Sequence, residues 1–250
     1  MDNRARYWSQ RSAIRGAAED RSAKDARRRL CNALSDAFET VGEALQTIGH
    51  IFGTDRVDES SPFGNGDDSL FALGHLSSTA ASLIRGAVHL LDQQNTYAAS
   101  ALNRQLVEVE YLSWAFAEDR DEASSWLRSS RQERLARWQP RHLRDRSHGR
   151  FRGADYSEHC EIGGHPSPEG IRALITARNA ATIELTFCEA AFHGSSTWDY
   201  LLSAVKAYWY DQNQAEMPIP DAVVKGVVAA VGAWQADDHL MLTWNTIRGS

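Results

Sequence analysis

Proline is scarce in this sequence, and the segments between the prolines are long. Only six prolines occur in 250 residues, at positions 62, 140, 166, 168, 218 and 220. Because proline interrupts helices, its scarcity leaves long segments free to be helical, and apolar residues recur in them at spacings of three and four. We therefore predict an all-α protein. A helical bundle has no standard site, so candidate functional residues must be sought among the polar side chains.

Cysteine is also rare, and long apolar runs are missing. The three cysteines, Cys31, Cys160 and Cys188, are odd in number and widely separated, which argues against a disulfide framework and for reduced thiols. The most apolar stretch, residues 223–234, contains Lys225 and is too short to span a bilayer. The first residues contain no apolar signal segment. We expect a soluble, cytoplasmic protein that does not contact a membrane.

Several common motifs are absent. The sequence contains no P-loop, Rossmann glycine motif, Gly-x-Ser-x-Gly elbow or paired carboxylates of a two-metal nuclease, which disfavours common ATPases, dehydrogenases, hydrolases and such nucleases. Cys-x2-Cys and Glu-x-x-His spacings are missing too, and Gly163 and Gly164 would interrupt a helical metal-ligand pair of Glu161 and His165. We predict no metal site and no cofactor.

The apolar periodicity predicts one helical domain over residues 1–250. Its centre is a long antiparallel hairpin over about 68–118, whose two helices are joined by a tight turn near Asn95. The whole is an elaborated bundle of about seven to nine helices. The other helices are predicted over about 3–19, 22–52, 121–138, 169–193, 197–211 and 219–245. Glycine and proline mark a mobile loop over 53–67 and an irregular segment over 139–169, which is the candidate functional segment.

Basic residues are concentrated in two segments of an acidic chain. The net charge is −6, yet residues 128–152 contain nine arginines and two acids, residues 1–29 carry +5, and the remainder carries −18. This distribution is typical of a protein that binds RNA or another phosphate-bearing ligand. We predict binding through residues 128–152, with Arg134 and Arg137 as binding residues. Solvated helix faces are the alternative interpretation.

A polar strip lies on the predicted central helix. At 100° per residue, Tyr97, Arg104, Glu108 and Tyr111 fall within about 40° of one another. Because this helix is apolar on several other sides, we expect Arg104 and Glu108 to be mostly buried and paired. The pair is predicted either to organise the bundle or to bind a ligand, and exposure at the surface is the third alternative.

Polar side chains are also concentrated in the irregular segment. Six of them lie within ten residues, among glycines and prolines that specify the backbone. These six are Tyr156, Glu158, His159, Cys160, Glu161 and His165. We predict that Tyr156, His159 and His165 bind a ligand, and that Tyr156 and His165 share a polar pocket with Arg104 and Glu108. The alternative is a packed tyrosine with histidines that cap helices.

Arg141 and His148 form a candidate pair in the basic segment. The sequence from Arg141 to His148, RHLRDRSH, resembles the Arg-x(4-6)-His motif of HEPN domains, helical bundles of bacterial toxin and phage-defence systems. In that family the Arg and His line a dimer groove and cleave RNA without a metal. The resemblance thus implies phosphate contact by Arg141 and acid–base catalysis by His148.

A second resemblance covers about residues 70–210. Some bacterial all-helical families combine an Arg-x3-Glu helix with a Tyr…His-Pro loop, which Arg104, Glu108, Tyr156 and His165 match here. This resemblance implies that the helix and the loop meet in space, and it implies no reaction.

Three functions are consistent with these features. The leading hypothesis is a bacterial bundle that binds or cleaves RNA, as in toxin or phage-defence systems. The second is a non-enzymatic module that forms a homodimer or binds a partner protein. The third is a small-ligand site between the central helix and the irregular segment. The sequence leaves open whether the protein is an enzyme.

Overall fold

The computed structural model describes residues 15–51, 66–151, 153–164, 167–168, 170–171, 179–211 and 217–240. These residues form helices and no strand, which confirms the predicted all-α class. Residues 53–65 of the predicted mobile loop and residues 3–14 of the predicted first helix lie outside the described residues, and residues 15–19 are helical.

In addition to the helical residues 15–19, the structure contains nine α-helices and one π-helical turn whose bounds lie among the described residues. In chain order these are α1 (Arg21–Ile51), α2 (Asp68–Asp92), α3 (Thr96–Glu118), α4 (Glu122–Arg128), α5 (Arg131–Arg137), α6 (Pro140–Arg146), α7 (Gly153–His159), the π turn (Cys160–Gly164), α8 (Ala180–Asp211) and α9 (Asp221–Asp237).

Helices α2 and α3 form the predicted central hairpin. Asp67 caps α2 by accepting a hydrogen bond from the backbone N–H of Leu70, and Asn95 caps α3 by accepting one from Ala98. Between the helices, Gln94 has a φ of 58°, which lets the chain reverse within a few residues. Helix α3 contacts α2, α4, α6, α7, the π turn and α8. It therefore lies at the centre of the bundle, as its several apolar faces predict.

The predicted helix over 121–138 is wrong, because the structure has two short helices there. Helix α4 ends at Arg128, and α5 begins at Arg131. Ser130 and Glu133 form a capping box, in which each side chain bonds the backbone N–H of the other residue. This reciprocal cap stabilises a new helix start, so the chain turns where periodicity alone predicted continuity.

The predicted break at Gly194, Ser195 and Ser196 is also wrong. Helix α8 runs through these residues without interruption. A Cβ at position 194 would lie 3.0 Å from Leu34 and 3.1 Å from Ile84, so the glycine permits close packing against α1 and α2. The hydroxyl of Ser195 donates to the carbonyl of Ala191 one turn earlier. Neither the glycine nor the serine therefore ends the helix.

The basic N-terminal segment contains a buried ion cluster. Arg27 of α1 is 0% exposed and donates to both carboxylate oxygens of Asp238, at 2.6 and 2.7 Å, and to Glu184 of α8 at 2.8 Å. Arg27 is therefore not part of a solvated face. Asp238 has extended backbone and ends α9, which is shorter than the predicted 219–245. Residues 241–245 lie outside the described residues.

None of the described helices combines the length and the apolar character that crossing a membrane requires.

Candidate functional site

Arg104 and Glu108 of α3 meet Tyr156 of α7. The Arg104 Nη2 lies 2.9 Å from the Glu108 Oε1. The Tyr156 hydroxyl donates to the same carboxylate oxygen at 2.9 Å and accepts from the Arg104 Nη2 at 3.2 Å. The predicted meeting of the helix and the irregular segment is thus confirmed for Tyr156. His165, the other predicted member, lies outside the described residues.

The predicted ion pair is present, and it is partly buried. The side chains of Arg104 and Glu108 are 27% and 35% exposed. The covering helix α7 has only seven residues, which is too short to shield the whole strip from water. Burial, together with the hydrogen bond to Glu108, raises the pKa of Tyr156 to about 12. The phenol is therefore protonated at neutral pH and acts as a hydrogen-bond donor, not as a base.

The π turn lies directly on α3. Arg104 Nε donates to the Cys160 Sγ at 3.3 Å, so the turn joins the same polar cluster. A Cβ at Gly163 would lie 2.5 Å from the backbone nitrogen of Ala101, a separation that no side chain tolerates. Gly163 is therefore explained by close packing of the two backbones. Together, Arg104, Glu108, Tyr156 and Cys160 form what we term the polar cluster.

A chain of three ionisable side chains, which we term the histidine relay, lies beside the polar cluster. His193 of α8 bonds through Nδ1 to the Glu110 Oε2 at 2.7 Å, and its Nε2 lies 3.2 Å from the Nε2 of His159. His159 and Glu110 are both buried. Burial and the neighbouring His193 lower the pKa of His159 to about 3, so its imidazole is neutral at physiological pH. The relay joins three helices through hydrogen bonds.

The sequence predicted only one member of the relay. His159 was expected to bind a ligand, whereas Glu110 and His193 were not predicted to have a role. Glu110 could have been found, because it occupies a buried position of the central helix, and a buried carboxylate requires a partner. Among the described residues, no group of three or more His, Cys, Asp or Glu side chains could hold a metal ion.

Three arginines of the segment 128–152 bind buried carboxylates. Arg128 Nε lies 2.7 Å from Asp68, which is 0% exposed. Arg137 and Arg146 donate their Nη2 groups to the Oε1 of Glu122, which is 1% exposed, at 2.7 and 2.6 Å. The predicted binding residue Arg137 therefore also has a structural contact.

The remaining arginines of α5 and α6 are differently placed. Helix α5 has no buried residue, although it belongs to a closely packed bundle. Arg131 and Arg134 project from it, and Arg134 hydrogen-bonds only locally, to Ser129. Arg141 and Arg144 lie on α6, where Arg141 is exposed and Arg144 is half-buried. None of these four arginines forms an ion pair with a described residue. We term them the basic face.

A surface depression of about 710 Å³ lies beside the basic face. Its lining residues are Ala136, Arg137, His142, Asp145, Arg146 and His148. His148 has a φ of 50°, in the left-handed region, and follows α6 directly. Arg141 does not line the depression; its Nε donates to the Nε2 of His142 at 3.2 Å. The structure therefore places His148 and His142 in the lining, while Arg141 contacts His142 from outside the depression.

The candidate residues thus lie in two groups. The polar cluster and the histidine relay join α3, α7 and α8 and are enclosed to a large extent, whereas the basic face and the depression are open to solvent. The basic face and the depression contain the guanidinium and imidazole side chains that bind phosphate. No family model, curated protein or solved structure matches the chain, so its function is inferred from this geometry alone.

Proposed function

We propose that the protein binds RNA through the basic face. The observation that carries this proposal is the exposure of α5, a basic helix that buries none of its own residues. A seven-residue helix does not persist in water without tertiary contacts, so this one depends on its flanking anchors. An exposed, anchored helix of arginines is suited to contact the phosphates of a nucleic acid.

The anchors of α5 are well defined. At its N-terminus, the capping box of Ser130 and Glu133 satisfies two backbone N–H groups. At its C-terminus, the buried Trp138 donates its indole N–H to Glu122 at 2.5 Å. Arg131 and Arg134 are therefore held in position between two fixed ends. A binding surface that is already ordered loses less entropy when it meets its ligand.

The charges of the basic face are available to a partner. The structural arginines Arg128, Arg137 and Arg146 pair with Asp68 or Glu122, whereas the four of the basic face have no carboxylate partner among the described residues. Four unpaired guanidinium groups within 14 residues produce a local positive potential on a chain with a net charge of −6. Arginine binds phosphate with two parallel hydrogen bonds, and the backbone of a nucleic acid presents such phosphates in a regular series.

RNA cleavage by Arg141 and His148 is not part of this proposal. The resemblance to HEPN domains implies that both side chains line one groove. Here His148 lines the depression, and the exposed Arg141 does not. The proposal is therefore restricted to binding.

The proposal is tested by measuring RNA binding at several salt concentrations. A fluorescein-labelled single-stranded RNA is titrated with wild-type protein and with the variant Arg131→Gln/Arg134→Gln/Arg141→Gln. These positions are chosen because none of their side chains bonds a buried carboxylate. Each lost phosphate contact should reduce the log–log salt slope by about 0.7. We expect the triple variant to lower the slope by about two and to weaken binding at low salt.

The matched control removes three positive charges from other helices. Arg85, Lys206 and Lys225 lie on α2, α8 and α9, and all three are exposed. Their replacement by Gln changes the net charge equally and should leave the salt slope unchanged. The proposal is wrong if both triple variants lose affinity to the same extent, or if the wild-type protein binds neither RNA nor DNA. Equal affinity for DNA of the same sequence would extend the ligand class to single strands in general.

A further inference from the structure

Two guanidinium groups are fixed side by side at the depression. Arg137 and Arg146 share a single carboxylate oxygen of Glu122, and that carboxylate is buried beneath them. Two cations on one anion leave an excess positive charge. Arg146 also has a buried Nη1 group with no hydrogen-bond partner among the described residues. The rest of the Arg146 guanidinium lines the depression, so the observation that bears on an anionic ligand is the excess positive charge of the arginine pair.

Two imidazoles line the same depression. His142 is half-buried and His148 is exposed, and both lie next to the arginine pair. Asp145 is the one carboxylate in the lining, and it is exposed, so water screens its charge more than that of a buried group. The depression thus combines two fixed guanidinium groups with two further potential N–H donors. These are the groups that bind phosphate.

We propose that this depression binds the terminal phosphate of an RNA strand. A terminal phosphate is a monoester with a charge of about −1.5 to −2 and three free oxygens, whereas an internal phosphate has one charge and two. Two adjacent guanidinium groups match the monoester better. The inference rests on the proposed RNA binding, because the basic face would carry the strand whose end enters the depression. Free inorganic phosphate and mononucleotides share the same chemistry.

The experiment compares two RNA strands of the same sequence, one with a 5′-phosphate and one with a 5′-hydroxyl. We expect the phosphorylated strand to bind about tenfold more tightly, the effect of one or two charge-assisted hydrogen bonds. Inorganic phosphate at millimolar concentration should abolish the difference. A 3′-phosphorylated strand tests whether the depression accepts that end instead.

The test variant is His142→Ala/His148→Gly. Alanine is compatible with helix α6, and glycine adopts the left-handed φ of 50° at position 148 without strain. Neither change touches the contacts of Glu122, so the fold should persist where Arg146→Gln could disturb it. This variant removes two of the four proposed donors, so it should reduce the preference for the 5′-phosphate while the arginine pair remains. The control His75→Ala/His89→Ala, on exposed positions of α2, should retain the preference.

The outcomes separate this inference from the proposed function. The variant Arg131→Gln/Arg134→Gln of the basic face leaves the Arg141–His142 contact intact, so it should weaken both strands equally and keep their ratio. If no RNA binds, the depression is tested alone by ³¹P NMR with inorganic phosphate, and a titration that the histidine variant abolishes would support it. Equal binding of all three strands, an undiminished preference in the histidine variant, or no effect of the protein on the phosphate signal would overturn the inference.

Discussion

Replacement of Arg27 by Met should destabilise the protein much more than the same change at Arg104. Both arginines pair with carboxylates, but the side chain of Arg27 is 0% exposed and its partners Asp238 and Glu184 are 1% and 4% exposed. The side chains of Arg104 and Glu108 are 27% and 35% exposed. Both variants make the same substitution of arginine by methionine. The loss of side-chain volume is therefore the same, and the difference in stability reports the lost charge pairing.

The expected magnitudes follow from solvent access. Loss of Arg27 leaves the buried Asp238 without its cation and leaves Glu184 with only the partly exposed Arg28, at 3.2 Å, which costs about 3–5 kcal/mol. Asp238 keeps hydrogen bonds from Trp234 and from the backbone of Leu240, which limit but do not remove this cost. Loss of Arg104 leaves Glu108 with access to water and with the Tyr156 hydroxyl, so about 1 kcal/mol is expected. In a domain of this size, 1 kcal/mol shifts the melting temperature by about 2–4 °C.

The assay is thermal unfolding followed by circular dichroism at pH 7. We expect Arg27→Met to lower Tm by about 6–20 °C and Arg104→Met by about 2–4 °C. Arg27→Met/Asp238→Asn should recover part of the loss, because it removes one uncompensated charge. Equal Tm values for the two single variants would refute the argument that burial decides the value of these ion pairs. A double variant no more stable than Arg27→Met would refute the role assigned to uncompensated charge.

Two further predictions concern titratable groups. The pKa of His159, about 3 in the folded protein against about 6.5 unfolded, means that stability is retained above pH 6.5 and falls towards pH 3. His159→Gln should reduce this acid-side loss of Tm, and an unchanged pH profile would contradict it. Burial raises the pKa of Cys31 to about 12 and also raises that of Cys188. Only Cys160 should therefore react with a thiol reagent in the native protein, whereas all three cysteines should react in denaturant. Labelling of Cys31 in the native protein would contradict this prediction.

The long helices were predictable because periodicity extends over many residues. The central hairpin begins and ends where the sequence predicted, since Asp67 and Asn95 cap its two helices. The errors occurred where a local signal and the packing differ. Gly194 is read from the sequence as a helix break, but side chains of two neighbouring helices lie 3.0 and 3.1 Å from the position that a Cβ would take there, so the glycine allows their close approach. This contact joins residues that are far apart in the sequence, so it cannot be predicted from the spacing of residues within α8.

The partners of charged residues were the least predictable feature. Arg104 and Glu108 were found because they lie one helical turn apart. By contrast, Arg27 and Asp238 are separated by 211 residues, and only the fold brings them together. The same holds for His159 and His193, which belong to different helices. Composition correctly identified an arginine-rich segment, but it could not show which of those arginines are already paired.

Glu122 connects the fold with the proposed function. This carboxylate fixes Trp138, which anchors the end of α5, and it also fixes Arg137 and Arg146 at the depression. Flexible arginine side chains lose considerable rotamer freedom when they bind a phosphate, and a pair already held by a buried carboxylate has lost part of it during folding. From the net charge alone, the negative charge of Glu122 would be expected to weaken anion binding. Its burial beneath the arginines makes it instead the residue that orders the binding groups.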